Sequence, residues 1–267
     1  MKIAIVTGAS SGMGKEFALR IDALGMDEIW GVALEEDLLN EVKSQLKTPM
    51  RNFAVDLTNG GVQAVDTLLK QLNPQVCWLV NASGFGKFGR YDQIATEQAT
   101  NMIRLNCEAL VAMTNTCLPY MCEDARIVQF GSVAAFQPTP YVNVYAATKA
   151  FVYSYSRALR VELKSRKVKV TVVCPFWTKT AFFNRAEKQQ GEKVIVKYTV
   201  MYNAQKVVDK AFRDAQKGKA RSIYGFVARW QVRLVKVLPV SWVMKIWCNQ
   251  QRFDKRYAKI GKEKYEK

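Results

Sequence analysis

The sequence predicts one α/β domain of three layers, in which a doubly wound parallel sheet lies between two layers of helices. The first observation is that short β-rich apolar runs alternate with segments whose apolar residues recur at helical spacing. The second is size, because a chain of 267 residues with 49% hydrophobic residues suits a single α/β core. We therefore expect residues 1–267 to form a single domain.

The predicted elements follow one another without a repeat or a low-complexity linker. Strands are predicted at 2–6, 28–33, 52–56, 76–80, 126–130, 169–174 and 222–226. Helices are predicted from about Met13, through Leu38 and Val42, and at about 97–122, 142–166 and 204–216. Two segments depart from this rhythm, and we interpret 181–203 as a substrate loop and 226–267 as a basic, aromatic carboxyl-terminal extension.

The charge of the chain is concentrated in its last third. Residues 1–184 have a net charge of +3, whereas residues 185–267 hold 21 Lys and Arg against 7 Asp and Glu. Such basicity suits an acidic substrate, an anionic membrane or a solvated surface without a partner. No recognition motif for nucleic acid accompanies it, so we expect no nucleic-acid partner.

Composition excludes several classes of enzyme. The chain has no histidine, which removes Ser-His-Asp hydrolases, HExxH metalloproteases and most zinc enzymes. The six cysteines form no CxxC pair, so we expect free thiols and no metal site. The amino terminus resembles a strand more than a signal peptide, and no segment has the apolar length of a membrane span. We expect a cytoplasmic protein.

A glycine-rich loop joins the first predicted strand to the first helix. It reads Thr7-Gly-Ala-Ser-Ser-Gly-Met-Gly14, and its functional candidates are Gly8, Ser10, Ser11, Gly12, Met13 and Gly14. Glycines at this point permit a tight turn and let a pyrophosphate approach the positive end of the helix. The loop therefore predicts a dinucleotide site on a Rossmann-type sheet.

This loop resembles the TGxxxGxG signature of the short-chain dehydrogenase/reductase family, and the resemblance extends over residues 1 to about 225. It implies that Asp56, followed by Leu57, contacts adenine at the end of the third strand. It also aligns Asn81, Ala82 and Ser83 with the family's NNAG segment, in which two residues are replaced by small ones. The resemblance implies a nicotinamide cofactor and assembly into a homodimer or a homotetramer.

The end of the second strand is expected to select the cofactor. A carboxylate there holds the ribose hydroxyls of NAD, whereas an arginine pairs with the 2′-phosphate of NADP. This chain has Leu34 at the deciding position, followed by Glu35, and no arginine nearby. We favour NAD(H), and Lys15 near the glycine loop leaves NADP(H) open.

Tyr145 and Lys149 are spaced one helical turn apart, which places both side chains on one face. A free phenol is a poor base at neutral pH, but an adjacent cation and a positive nicotinamide ring lower its pKa. The family resemblance adds Ser132, which orients the substrate oxygen, and Asn106, which holds a water in a proton relay. The predicted catalytic set is therefore Asn106, Ser132, Tyr145 and Lys149.

A segment after the sixth strand matches the family's PGxxxT pattern, which implies that Pro175, Thr178 and Thr180 hold the nicotinamide carboxamide. Phe176 stands where the family has glycine. The neighbouring segments are rich in aromatic residues, which predicts an apolar pocket for a lipophilic substrate such as a hydroxysteroid or a bile acid. The substrate candidates are Phe85, Gln137, Trp177 and Phe182.

Residues 226–247 alternate tryptophan and aliphatic residues with basic ones, and Pro239 divides them into two pieces. Such a stretch suits peripheral membrane contact, a cap over the active site or contact with another subunit.

Two other functions of the chain remain open. One is a carbonyl reductase of fatty or polyketide-like substrates, and the other is a non-catalytic dinucleotide-binding regulator, against which the intact Asn-Ser-Tyr-Lys set argues.

Overall fold

The computed structural model describes residues 1–186 and 194–253. The predicted substrate loop 181–203 and the predicted extension 226–267 therefore lie partly outside the described residues. At the centre of the described chain is a sheet of seven parallel strands in the order β3-β2-β1-β4-β5-β6-β9. These strands are β1 (Lys2–Thr7), β2 (Glu28–Ala33), β3 (Met50–Ala54), β4 (Gln75–Asn81), β5 (Met121–Phe130), β6 (Lys169–Val173) and β9 (Arg221–Ser222).

Helices connect the strands. They are α1 (Gly12–Ile21), α2 (Glu36–Lys43), α3 (Gly61–Leu72), α4 (Thr96–Ile103), α5 (Leu110–Cys117), α6 (Asn143–Glu162), α7 (Phe182–Ala186), α8 (Ala204–Gln216), α9 (Phe226–Leu234) and α10 (Val240–Gln251). A separate two-stranded sheet pairs β7 (Thr178–Lys179) with β8 (Tyr202–Asn203). The predicted doubly wound α/β fold is confirmed.

Alternation along β1 explains why the sheet is covered on both faces. Ile3 and Ile5 point to one face, where they pack with residues of α3, α5 and α6. Ala4 and Val6 point to the other face, where they pack with residues of α1, α2 and α8. Since successive side chains of a strand point to opposite faces, a fully apolar strand needs helices on both sides.

Two predicted elements differ from the structure. The helix predicted at 97–122 ends at Cys117, and a π-helical turn, Arg104–Ala109, interrupts it between α4 and α5. The strand predicted at 222–226 is wrong beyond Ser222. Gly225 there has a φ of +92°, outside the range of extended strands, and α9 begins at the next residue.

Among the residues that the structure describes, no helix has the length and apolar character to cross a membrane. The described cysteines are all free. Two of them, Cys77 and Cys122, lie next to each other at the starts of β4 and β5.

Candidate active site

A groove of about 440 Å³ runs along the carboxyl-terminal edge of β1, β2, β3 and β4. In an open parallel sheet this edge is where ligands bind. Most of the predicted cofactor residues line the groove. These are Gly8, Ser10, Ser11, Gly12, Met13, Gly14, Leu34, Glu35, Asp56, Leu57, Ala82, Ser83 and Thr180.

Glycine is required in the loop because the backbone there is tightly packed. A Cβ atom on Gly14 would lie 2.1 Å from the carbonyl oxygen of Gly8, and one on Gly8 would lie 2.9 Å from the backbone of Ala82. Gly8 also has a φ of +67°, which side chains other than glycine rarely adopt. The first helix can therefore begin directly against the groove, with its free N–H groups and positive end facing it.

Gly14→Ala is expected to weaken dinucleotide binding about 10-fold and to lower the free energy of unfolding by about 1 to 3 kcal/mol, the usual cost of overpacking. The added Cβ must push the loop away from α1. Fluorescence titration with NADH and urea unfolding measure the two effects. Gly25→Ala is the control for dinucleotide affinity only, because Gly25 does not line the groove and no atom lies within 4 Å of its Cβ; its φ of +67° means that this variant is also expected to lose stability. Unchanged affinity in Gly14→Ala would remove the loop from the binding site.

The end of β2 brings a carboxylate to the groove. Glu35 and the exposed Leu34 both line it, and the Ser10 hydroxyl donates a hydrogen bond to Glu35 at 3.4 Å. Lys15, the residue that left NADP(H) open, donates to Glu41 of α2 at 3.0 Å. Its ammonium group therefore already has an anionic partner.

The residues after β4 divide between two environments. Ala82 and Ser83 line the groove, and the amide of Ser83 donates to the Thr7 hydroxyl at 3.1 Å. The side chain of Asn81 instead lies in the core, where it donates to Thr114 and Gln129. Asn81 therefore stabilises the core through these hydrogen bonds and is not among the residues that line the groove.

A second cavity, of about 150 Å³, adjoins the groove and shares Gly84, Thr180 and Phe182 with it. Its wall includes Ser132, Tyr145 and Lys149. Ser132 follows β5, and the other two residues lie one turn apart on α6, as their spacing predicts. The strand end and the helix together place a hydroxyl, a phenol and an ammonium group on one wall.

Tyr145 and Ser132 line the same cavity wall. Burial raises the pKa of Tyr145 to about 12, and a hydrogen bond with Ser132 opposes this rise. The ammonium of Lys149 lies 5.6 Å from the centre of the Tyr145 ring. The expected lowering of the phenol pKa is thus not found in the protein alone, because burial has the larger effect.

Lys149 is buried, and its ammonium group is held by a hydrogen bond to a backbone carbonyl. Its Nζ donates to the carbonyl oxygen of Phe130 at 2.8 Å, and burial lowers its pKa to about 8. Cys107 and Cys174 have a smaller, opposite effect on this pKa. The amine therefore remains mostly protonated at neutral pH, and its charge faces the cavity.

Asn106 is fully buried in the π-helical turn. Its amide donates to the carbonyl of Phe85 at 2.9 Å and to the hydroxyl of Thr148 at 3.1 Å, and its oxygen accepts from the amide of Phe85 at 3.1 Å. Asn106 thus ties the loop after β4 to α6 beside Lys149. Its part in a proton relay stays a prediction.

Three of the four predicted substrate residues, Gln137, Trp177 and Phe182, line the cavity. Phe85 does not, because Asn106 binds its backbone and the residue lies along the dinucleotide groove. Much of the cavity wall is a cluster of rings around the buried Phe88, which lies 6 to 7 Å from each neighbour. The neighbouring rings are Tyr145, Trp177, Phe182 and Phe183.

The segment after β6 lines the same cavity. Pro175, Phe176, Thr178 and Thr180 all contribute, and the hydroxyl of Thr178 donates to the carbonyl of Phe176 at 2.9 Å. The Phe176 ring packs beside Trp177 and Tyr202, with centroid distances of 6.0 and 6.3 Å. The phenylalanine that replaces glycine therefore adds apolar surface to the wall.

The carboxyl-terminal helices supply three lining residues that were not among the predicted substrate candidates: Gln231 of α9 and Trp247 and Gln250 of α10. Trp247 stacks on Trp177 and donates to the carbonyl of Pro140 at 3.0 Å. Gln251 accepts from the amides of Val196 and Lys197, which holds the end of α10 against the chain. Helices α9 and α10 therefore close one side of the cavity.

The groove and the cavity suit a nicotinamide dinucleotide. The backbone cradle at Gly8 and Gly14 would be filled by any Cβ, and a carboxylate lies near the expected ribose. The cavity joins the far end of the groove, so a nicotinamide there would meet Tyr145. The arrangement can hold a substrate oxygen between a hydroxyl donor and a phenol.

Comparisons with known proteins agree with this geometry. The family model for short chain dehydrogenases matches residues 2–191. An uncharacterized oxidoreductase of Staphylococcus epidermidis is 32% identical over 180 residues, which cover 65% of this chain and 76% of that protein.

Two solved structures share the fold. One is a short-chain dehydrogenase of Sphingobium yanoikuyae in complex with NADPH, with a TM-score of 0.74, 25% identity and coverage of 90% of this chain and 97% of that one. The other is a short-chain dehydrogenase/reductase of Burkholderia phymatum in complex with NAD, with a TM-score of 0.75, 23% identity and coverage of 87% and 92%.

Proposed function

The chain belongs to the short-chain dehydrogenase/reductase family of NAD(P)-dependent oxidoreductases, and on this premise we propose that it interconverts a lipophilic ketone and the corresponding alcohol. One observation carries the proposal. The phenol of Tyr145 and the hydroxyl of Ser132 line one cavity, which is walled by aromatic rings and lies beside the dinucleotide groove.

The residues of the cavity supply proton transfer and charge stabilisation. The nicotinamide, when bound, supplies or accepts the hydride. In the direction of reduction, Ser132 donates a hydrogen bond to the ketone oxygen, and Tyr145 donates the proton that completes the hydroxyl group. The charge of Lys149 stabilises the phenolate that Tyr145 becomes. In the direction of oxidation the same phenolate accepts the proton of the alcohol.

The cavity wall favours an apolar substrate. Its rings include Phe88, Trp177, Phe182, Phe183 and Trp247, and its polar side chains other than the catalytic ones are all uncharged glutamines and threonines. Burial of apolar surface is the main source of affinity in such a pocket. Within this class we propose a hydroxysteroid or a bile acid, and ketones of fatty or polyketide-like compounds are the second candidate.

Turnover of a ketone panel tests this function. Reduced nicotinamide is followed by absorbance with steroid and bile-acid ketones, long-chain 3-oxo compounds and small polar ketones. We expect oxidation of the cofactor with the apolar ketones only. Preference for steroid ketones over long-chain ones separates the two candidates, and turnover of small polar ketones alone would contradict the proposal.

For the cofactor we propose NAD(H). Glu35 supports this choice because a carboxylate that lines the groove can accept hydrogen bonds from ribose hydroxyls and repels a 2′-phosphate. The pairing of Lys15 with Glu41 supports it as well, since a 2′-phosphate would have to compete with Glu41 for the ammonium group.

Leu34→Arg is expected to raise the ratio of kcat/KM with NADPH to kcat/KM with NADH at least about 10-fold, because a guanidinium at this position can bind a 2′-phosphate bidentately. Steady-state kinetics with both cofactors measure the ratio. Leu38→Arg is the matched control, since Leu38 is exposed on α2 but is not among the residues that line the groove. A wild type that prefers NADPH would overturn the assignment.

A non-catalytic regulator is the remaining alternative. A regulator needs the groove but not the phenol, and the presence of Ser132, Tyr145 and Lys149 on one cavity wall argues for chemistry. We further propose a homodimer or a homotetramer that assembles through α4 and α6. Ile103, Phe151 and Val161 expose apolar side chains on these helices.

A further inference from the structure

The outer face of α9 and α10 exposes an unusual number of large apolar side chains. The exposed fraction reaches 53% at Trp230, 62% at Trp242 and 83% at Val237, in the turn between the helices. The rings of Phe226 and Trp230 contact each other, with centroids 6.0 Å apart, and exposed apolar side chains that group in this way commonly mark a binding surface. We name this set the outer face; its apolar members are Phe226, Trp230, Leu234, Val237, Val240, Trp242 and Ile246.

Basic residues lie among these apolar ones. On α9 the exposed positions follow helical spacing and alternate between the two kinds, from Phe226 through Arg229 and Trp230 to Arg233 and Leu234. The guanidinium of Arg233 lies 5.8 Å from the centre of the Trp230 ring. Since residues at this spacing lie on one side of a helix, the basic side chains and the aromatic rings are exposed on the same side of α9.

The outer face carries charge of one sign. Residues 226–253 contain five Lys and Arg residues and no Asp or Glu. The basic members, all exposed, are Arg229, Arg233, Lys236, Lys245 and Arg252. A second copy of this face would bring like charges together, whereas an anionic lipid surface offers both apolar chains and opposite charge.

The opposite faces of the same helices belong to the active site. Gln231 of α9 and Trp247 and Gln250 of α10 line the catalytic cavity, while Ala228, Val232 and Val243 are buried. Each helix thus has one side on the cavity and the other toward solvent. Any surface that the outer face touches lies one helix thickness from the cavity.

We propose that the outer face docks the protein on an anionic membrane, with its tryptophans at the level of the headgroups and its basic residues on the phosphates. The docked helices place the cavity next to the bilayer. This step rests on the proposed function, because only a lipophilic ketone or alcohol would be concentrated there.

Sedimentation with vesicles tests the docking without any turnover. The full chain is mixed, at low salt, with vesicles of phosphatidylcholine alone or of phosphatidylcholine with phosphatidylserine. We expect sedimentation with the anionic vesicles only, and release when the salt is raised. Failure of the wild type to sediment with anionic vesicles at low salt would overturn the proposal.

Two double variants locate the contact. Trp230→Ser with Trp242→Ser removes the interfacial rings, and Arg229→Glu with Lys245→Glu reverses two charges. Each is expected to weaken vesicle binding about 10-fold or more, since one basic residue near such a surface contributes about 1 kcal/mol. Matched controls at exposed positions elsewhere, Leu72→Ser with Tyr91→Ser and Lys164→Glu with Lys217→Glu, are expected to bind like the wild type.

The outcomes separate docking from catalysis. Tyr145→Phe is expected to bind vesicles as the wild type does, and the tryptophan double variant is expected to keep the wild-type activity on an apolar ketone offered in buffer without vesicles. Undiminished vesicle binding by both outer-face variants would assign the binding to another part of the chain and contradict the proposal. A third outcome is that the wild type forms oligomers and does not bind vesicles, while the tryptophan double variant is monomeric. The outer face would then be a surface for self-association, and the proposal would be wrong.

Discussion

Tyr145→Phe is expected to lower kcat for ketone reduction about 10³-fold, within the range that a positioned proton donor contributes. The substitution removes only the hydroxyl that carries the proton, and the ring keeps its contact with Phe182 at 5.5 Å between centroids. Dinucleotide affinity should therefore stay unchanged. Stopped-flow absorbance and a fluorescence titration with NADH measure the two quantities.

Tyr153→Phe is the matched control, because Tyr153 lies on the same helix and is not among the residues that line the cavity. Its ring packs on Phe136, and its hydroxyl accepts only a long hydrogen bond from Arg221. Its activity should equal that of the wild type. If Tyr145→Phe kept the rate of the control, another group would have to supply the proton.

Lys149→Met is expected to make the protein more stable and less active. In the folded state burial lowers the pKa of Lys149 to about 8, from an ordinary 10.5. The difference of about 2.5 between these two pKa values corresponds to about 3 kcal/mol against the charged form at pH 7. Loss of the hydrogen bond to Phe130 offsets about 1 kcal/mol of the gain. The free energy of unfolding without cofactor should therefore rise by about 2 kcal/mol.

The pH dependence of this gain has a definite sign. The pKa of Lys149 is lower in the folded state than in the unfolded state, so the unfolded chain binds more protons between pH 8 and pH 10.5. The free energy of unfolding of the wild type therefore increases as the pH rises through that range. The advantage of Lys149→Met is thus full below pH 8 and shrinks above it. Urea unfolding at several pH values tests this, and an advantage that grows between pH 8 and pH 10 would contradict it.

The same variant should lose about 10²-fold in kcat, because the phenolate of Tyr145 then forms without a nearby cation. Lys164→Met, at an exposed position, should change neither stability nor activity by a measurable amount. An active Lys149→Met enzyme would show that the ammonium has only a structural part.

The fold could be predicted because its signals are local. Apolar strands, helical spacing and the glycine loop each depend on neighbouring residues, and the pairing of Tyr145 with Lys149 follows from one turn of α6. Their positions at the carboxyl edge of the sheet then follow from the parallel topology. For this reason the structure brings Ser132, Tyr145 and Lys149 to one cavity wall.

What the sequence could not predict depends on packing between distant segments. Gln231 and Trp247 reach the cavity only because α9 and α10 fold back over it. Phe85 lies along the groove because Asn106 holds its backbone, a contact across 21 residues. The pKa of Tyr145 likewise depends on the whole cavity, where burial has a larger effect than one cation.

The most direct test of the account is transfer of a label from cofactor to product. Reduced nicotinamide cofactor with both C4 hydrogens replaced by deuterium is incubated with the full chain and an apolar ketone from the panel, and the product is examined by mass spectrometry and NMR. The wild type is expected to form an alcohol with deuterium on its carbinol carbon, and Tyr145→Phe is expected to form almost none. Labelled cofactor that binds tightly but gives no deuterated alcohol with any ketone would contradict it.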